Sequence, residues 1–449
     1  MKIRKLLALV LSLAMVLPLL AGSAALADDV QVIRMWSNDQ HDQAIIRQKI
    51  DEFNATIGKE NGIAVEYTVY GSDYYTTLDV AVSAGEGPDI FKCNKIGNYS
   101  EAGYVLPWDE IPGLADLIAR HAPFNAPGYG EFGGHTYACP FRVTTYGVAC
   151  NKDLFDQYGV EIPTTWDEME AAAKAITDAS GGSAYGYALA MGYGSYHYFY
   201  VTLANGASVG DEYFNHTSGR YDFESLGGFL RHVLTFVEDG SMFPGYETMT
   251  GDVARAQFSA GTVAMIGAMS SDVTTFKNQF PCDFEWVMIP YPVADAEHSY
   301  KEPVGVSMSY VIGAAAADYT DKVALFLNYL YSDEVYIATS EAQVDIAIFN
   351  EILEQCDTTA MDPNWLSFAN MDTFCIKYPN PDSYLTIEGD TYQDVIGKIL
   401  TGVEKDIDGA LAALTVKYNT ALDAAIAAGK IDINDFIDPD IAAKMQAAK

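Results

Sequence analysis

The sequence predicts an α/β fold made of two sheet-bearing units that exchange segments. Two observations carry this expectation. From Val32 to Phe91, strand and helix patterns alternate in the order of a largely parallel sheet. Strand-like stretches then recur far down the chain, at "TVAMIGA", "EWVMIPYP" and "VSMSYVIGAA", and each needs a sheet to join.

Val32, Ile33 and Met35 begin a short strand that ends at Trp36, and the polar loop "SNDQHDQ" follows. Ile45, Ile46, Ile50 and Phe53 recur at helical spacing up to Gly58. "IAVEYTVY" alternates as a strand does, Tyr74 to Ala84 reads as a helix, and "GEGPDIF" breaks it before another strand. "ACPFRVTTYGVACNKDLF" reads as one strand running through Asn151 into a turn. Thr165 and Glu168 form a capping box ahead of the helix "WDEMEAAAKAI". An aromatic, glycine-rich stretch follows from Ala184 to Gly206, then helices over 225–239 and 252–259, with Gly261 stopping the second. "DKVALFLNYLYSDEVYIATS" has apolar positions at the spacing of one helix. From Asp390 onward the pattern is mostly helical, interrupted at Pro439.

The front end reads as an export signal. Lys2, Arg4 and Lys5 precede an apolar run from Leu6 to Leu20, and Ala25-Leu26-Ala27 fits the small-residue rule for cleavage after Ala27. The run is shorter than the roughly 20 residues a membrane span needs. Leu20-Ala21-Gly22 is followed by Ser23, where a lipid-anchored protein carries the cysteine that accepts the lipid. The expected mature chain is therefore exported and free of lipid, and begins at Asp28. Loss of residues 1–27 leaves 422 of the 449 residues and moves the formal charge from −35 to −38. So acidic a surface repels phosphate backbones and anionic lipid heads, which argues against nucleic acid as a partner.

Metal and enzyme motifs are not expected. The six cysteines (Cys93, Cys139, Cys150, Cys282, Cys356, Cys375) lack zinc-knuckle spacing and read as free thiols, with a Cys139–Cys150 disulfide as the alternative. A literal GxGxxG at Gly128, Gly130 and Gly133 has no strand leading in and no helix after it, so it reads as a loop and no cofactor follows from it. No Walker motif, HExxH or GxSxG nucleophile elbow is expected. Paired carboxylates for glycoside hydrolysis cannot be picked out among 61 acidic residues, so a secreted glycosidase stays open as an alternative.

Four segments together resemble the extracellular solute-binding proteins of family 1, the sugar receptors of ABC importers. They are "AVSAGEGPDIF" (81–91), "YGVACNKDLFDQYGVEIPTTWDEME" (146–170), "ARAQFSAGTVAMIGAMSSDV" (254–273) and "VGVSMSYVIGAAAADYTDKVALFLNYLYSDE" (304–334). The resemblance implies a two-lobed periplasmic-binding-protein-like fold, with two α/β sheets, hinge crossings and a ligand cleft between the lobes. It places residues 28–143 plus about 268–315 in the N-terminal lobe, and about 144–267 plus 316–449 in the C-terminal lobe. The implied function is non-enzymatic: a monomer captures a carbohydrate, closes on it and presents it to membrane permease subunits. A receptor that presents its ligand to a membrane sensor is a further alternative.

Sugars offer C–H faces and rings of hydroxyls, so their sites combine aromatic faces with a few polar groups. The resemblance places Trp36, Asn38 and Asp39 at the first ligand loop, with Trp36 serving either as a contact or as core. Asn94 and Lys95 follow the Gly-Pro-Asp strand. Arg142 and Thr144 lie on the crossing strand, where the arginine could meet hydroxyls or a uronic carboxylate, or else form an interlobe salt bridge. Tyr196, His197 and Tyr198 match an aromatic segment of the second lobe. Ser270 and Ser271 stand in a loop where relatives often carry an aromatic ring. Gly305, Ser307 and Met308 begin the next strand, and Tyr384 and Tyr392 lie near the last helices.

Overall fold

The computed structural model describes residues 30–445, apart from 72, 126, 193–196, 309 and 371–373. The leader and its cleavage site lie outside these residues. The strands that position the site are, in chain order, β1 (Gln31–Ser37), β2 (Ile63–Val69), β3 (Ile90–Phe91), β4 (Val105–Leu106), β5 (Pro140–Val143), β6 (Tyr146–Asn151) and β7 (Tyr185–Ala188). They continue with β8 (Val263–Met269), β9 (Trp286–Ile289), β10 (Val306–Met308), β11 (Val311–Gly313) and β12 (Ile346–Ala347).

Two main sheets form. The first has the order β2-β1-β3-β11-β4, with β1, β2 and β3 parallel and β11 antiparallel to both of its neighbours. The second has the order β9-β6-β8-β7, in which β8 runs parallel to β7 and antiparallel to β6. A small third sheet, β10-β5-β12, lies at the crossing, and the chain passes from β5 into β6 through Thr144 and Thr145 alone.

Alternation on β1 buries Ile33 and Met35 beneath the helix α1 (Gln43–Ala55), whose Ile46, Ile50 and Phe53 fill the same core. On the second sheet, the helix α2 (Trp166–Ala179) starts at the predicted capping box and buries Met169, Ala172, Ala173 and Ile176. It packs so closely on β7 that a Cβ at Gly186 would lie 2.2 Å from Ala173 Cα. Further helices, α3 (Gly227–Glu238) and α4 (Gly251–Ser259), flank this sheet within a residue or two of the expected ranges.

Several expectations need correction. The single strand predicted through Asn151 is two strands in different sheets, and the helix Lys152–Tyr158 follows at once where a turn was expected. "VSMSYVIGAA" likewise splits into β10 and β11, which serve different sheets. The long helix over 321–340 is two helices, α6 (Thr320–Leu330) and α7 (Asp333–Glu341), which break at Tyr331 and Ser332 after α5 (Asp272–Asn278) and β9 to β11 have intervened in the chain.

The expected lobe limits also shift. Strand β9 extends the second sheet by pairing with β6, so the chain has not returned to the first lobe at 268. Helices α6 and α7 belong to the first core rather than the second: Phe326 meets the Phe53 ring at 5.0 Å, and Glu334 pairs with Lys49 at 3.0 Å. All six cysteines are free; Cys93, Cys139 and Cys150 are buried and the other three half-buried. The GxGxxG stretch is a loop leading into a tight hairpin, Glu131–Phe132 with His135–Thr136.

Candidate functional site

A cavity of about 530 Å³ opens where the crossing strand meets the ends of both main sheets. Its walls come from four places. The loop after β1 gives Asp39, Gln40 and His41, and the residue after β3 gives Lys92. The crossing segments give Arg142, Thr144, Ser307 and Asp345, and the loop after β8 with helix α5 gives Ser270, Ser271, Thr274, Thr275 and Asn278. None of the described lining residues is a phenylalanine, tyrosine or tryptophan.

One charged network forms the floor. Arg142 is buried and its guanidinium reaches Asp39 at 2.5 Å, Asp42 at 2.6 Å and Asp345 at 3.0 Å. Lys92 pairs with the other oxygen of Asp39, and His41 Nε2 lies 3.2 Å from Asp345. Burial works against ionisation of Asp39 and Asp345, but Arg142, with Lys92 on Asp39 and His41 on Asp345, outweighs it and holds both carboxyls below the usual range. For Asp42, burial and the neighbouring Asp345 and Asp39 carboxylates win over Arg142 and push the carboxyl up to about 6. Burial and the nearby Arg142 lower the Lys92 ammonium from its usual value.

On the opposite wall, Asp272 pins the loop after β8. Its Oδ2 accepts the Met269 N–H at 2.9 Å and its Oδ1 accepts Arg255 Nε at 2.7 Å. Ser270 donates its N–H to the Thr145 carbonyl at 3.0 Å, which ties this loop to the crossing. At the rim, Gln343 is the one positive-φ non-glycine among the described residues, at 56°. Its carbonyl accepts from Thr274 Oγ1 at 3.5 Å, so the strained turn holds the α5 side of the cavity against the segment leading into β12.

Of the residues singled out in the sequence, Asp39, Arg142, Thr144, Ser270, Ser271 and Ser307 line this cavity. Gly305 contributes to the crossing through its carbonyl, which accepts the Thr144 N–H at 3.4 Å. Asn38 sits half-buried against Tyr75. Tyr196 and the side chains of His197, Tyr198 and Met308 lie outside the described residues.

The remaining candidates stand elsewhere. Trp36 packs on Tyr70, with ring centroids 4.8 Å apart, in a satellite core. Asn94 and Lys95 are exposed where the helix Ile96–Glu101 begins, and Lys95 pairs with Asp79 at 2.8 Å. Tyr392 is buried 4.7 Å from the Tyr213 ring, and Tyr384 packs against Phe436 in the second lobe. Three carboxylates of the protein itself pair with the Arg142 guanidinium from within the floor.

Sequence reasoning missed Lys92, His41 and Asp345. Lys92 had a legible signal, since it immediately follows the buried strand "IF" at the end where loops gather. Asp345 had none, because 203 positions separate it from Arg142. The sequence also contains a literal GxSxG, Gly206-Ala207-Ser208-Val209-Gly210, where none was expected. It lies at the end of the helix His197–Val209, and buried Ser208 accepts the Ala294 N–H at 2.9 Å. The strand-to-helix turn that a nucleophile elbow requires is missing at this place.

Two sheets joined by short crossings, with a polar cavity at the joint, define a two-lobed binding protein. The chain belongs to the bacterial extracellular solute-binding proteins, whose family model matches residues 37–337. It is similar to the maltotriose-binding protein of Pyrococcus abyssi, at 31% identity over 146 residues, covering 32% of this chain and 30% of that protein. It is also similar to the melibiose/raffinose/stachyose-binding protein of Bacillus subtilis, at 26% identity over 145 residues, 30% of this chain and 32% of the relative. The matches thus span about a third of the length of these curated relatives. Among solved structures, the GacH receptor of Streptomyces glaucescens aligns with a TM-score of 0.69 at 20% identity, covering 88% of this chain and 99% of the other. The cyclic α-maltosyl-1,6-maltose binding protein of Arthrobacter globiformis aligns at 0.67 with 18% identity, covering 88% and 100%. At these identities the structural likeness shows the fold.

Proposed function

We propose that the protein is an exported receptor that captures a neutral oligosaccharide between its lobes and delivers it, as a monomer, to the permease subunits of an ABC importer. The observation that carries this reading is the hydroxyl- and amide-rich wall of the cavity, where Thr144, Ser271, Thr274, Thr275 and Asn278 face the charged floor. Such groups match a ring of sugar hydroxyls, and the volume falls in the range of about 300–1,000 Å³ usual for small-molecule sites. The sugars named for the relatives, maltotriose and the raffinose series, agree with it.

Closure is a hinge motion about Thr144 and Thr145, and the ligand shifts it by as much as it gains from touching both lobes. The proposed lobes are residues 30–143 with about 304–360, and 144–303 with about 361–445, following the sheet pairings. Export with cleavage after Ala27 would leave the protein without a lipid tether. No helix among the described residues is long and apolar enough to cross a membrane.

Catalysis is not part of this reading. Asp42, the raised carboxyl of the floor, is fully buried and shares one guanidinium with Asp39 and Asp345, so it cannot reach a glycosidic oxygen as a general acid. Titration calorimetry with maltotriose, raffinose and stachyose, with a reducing-end assay on the same samples, tests the proposal. Saturable binding of at least one sugar without new reducing ends is the expected result. Turnover, or no binding across the panel, would overturn it.

A further inference from the structure

The geometry points to a divalent-cation site at the floor of the cleft, built by His41, Asp42 and Asp345 and suited to a first-row metal such as Zn2+. One donor atom from each residue lies within 4.8 Å of the other two, the one such grouping of three among the described residues. Arg142 takes Oδ2 of both aspartates, at 2.6 and 3.0 Å, and so orients the two carboxylates from behind. Their Oδ1 atoms are left for something else. Oδ1 of Asp345 meets His41 Nε2, but Oδ1 of Asp42 is buried and has no hydrogen-bond partner, on a residue with 0% exposure.

A buried carboxylate oxygen without a partner costs about 1–3 kcal/mol, so native structures rarely leave one. Charge points the same way: three carboxylates, Asp39, Asp42 and Asp345, face the two cations Arg142 and Lys92. One imidazole nitrogen with two carboxylate oxygens is a donor set for zinc or manganese rather than for calcium, which takes oxygen ligands. His41 and Asp345 also line the cavity, so a bound ion would keep its open positions toward the cleft. No metal was legible in the amino-acid pattern, because His41 and Asp345 are 304 positions apart.

Equilibrium dialysis of the EDTA-stripped mature protein against ZnCl2, in the absence of sugar, tests the site independently of any carbohydrate role. One zinc per chain is expected. His41→Ala should weaken binding at least tenfold, since it removes the one imidazole donor of the set. Asp42→Asn should weaken it similarly. A control variant, His298→Ala, removes an exposed histidine paired with Asp295 and should leave zinc binding unchanged. The proposal is overturned if no stoichiometric zinc binds, or if binding survives His41→Ala.

Discussion

Replacing Arg142 with methionine tests the account of the charged floor most directly. Methionine fills much of the same volume but leaves Asp42 with no partner on either oxygen, Asp345 with His41 alone and Asp39 with Lys92 alone. All three aspartates are buried. Breaking a buried ionic cluster by removing one member typically costs about 3–5 kcal/mol, because the charges left behind have lost their solvation without compensation. That is a large share of the roughly 5–15 kcal/mol by which folded domains are stable. Urea unfolding followed by tryptophan fluorescence should show the midpoint moving down at an unchanged slope. Adding Asp42→Asn to Arg142→Met should recover part of the loss, as expected for residues that share one network. If Arg142→Met unfolds within about 1 kcal/mol of the parent protein, the cluster does not anchor the crossing strand and the reasoning fails.

Two further outcomes follow from the second lobe. Burial, with Glu212 and Asp222 nearby, raises the Asp211 carboxyl from 3.8 to about 7, against the lowering effect of the His216 N–H. The folded state therefore keeps a proton that the unfolded chain releases. Stability from this group is full below pH 3.8 and is lost as pH rises through 7, about 4 kcal/mol in all and about 3 of it between pH 5 and 8. Asp211→Asn should flatten that part of the stability–pH curve, and an unchanged curve by urea titration at pH 5 and 8 would count against it. Gly186→Ala places a methyl group 2.2 Å from Ala173 Cα and should cost about 1–3 kcal/mol or more. Calorimetric melting should report the loss, and a melting temperature equal to the parent's would show that α2 can move off β7.

The sequence made the elements and their order legible where a pattern is local. Ile33 and Met35 on β1, and Thr165 with Glu168 at the head of α2, each need only a few neighbours to declare themselves. Strand partners were less legible. β5 and β6 read as one strand because apolar residues continue through both, and only the sheets on either side separate them at Thr144. The cavity lining was readable at Asp39, Arg142 and Ser271, which sit at or just beyond the ends of strands. The rest of its floor was not, because Asp42 and Asp345 matter only through a guanidinium that the fold brings to them. Trp36, Asn94 and Lys95 stand outside the cavity lining, because Trp36 packs on Tyr70 and Lys95 reaches Asp79 from the head of the helix Ile96–Glu101.

The position of β11 also bears on how the chain assembles. It fills the slot between β3 and β4, and β4 has no other neighbour in that sheet. A chain that emerges N-terminus first must therefore produce roughly 200 more residues after Leu106 before the two strands can be joined, a long-range pairing of the kind that slows folding. Until then the first sheet stays open on one side. The topology itself delays completion of the first lobe until the chain has been made past Gly313.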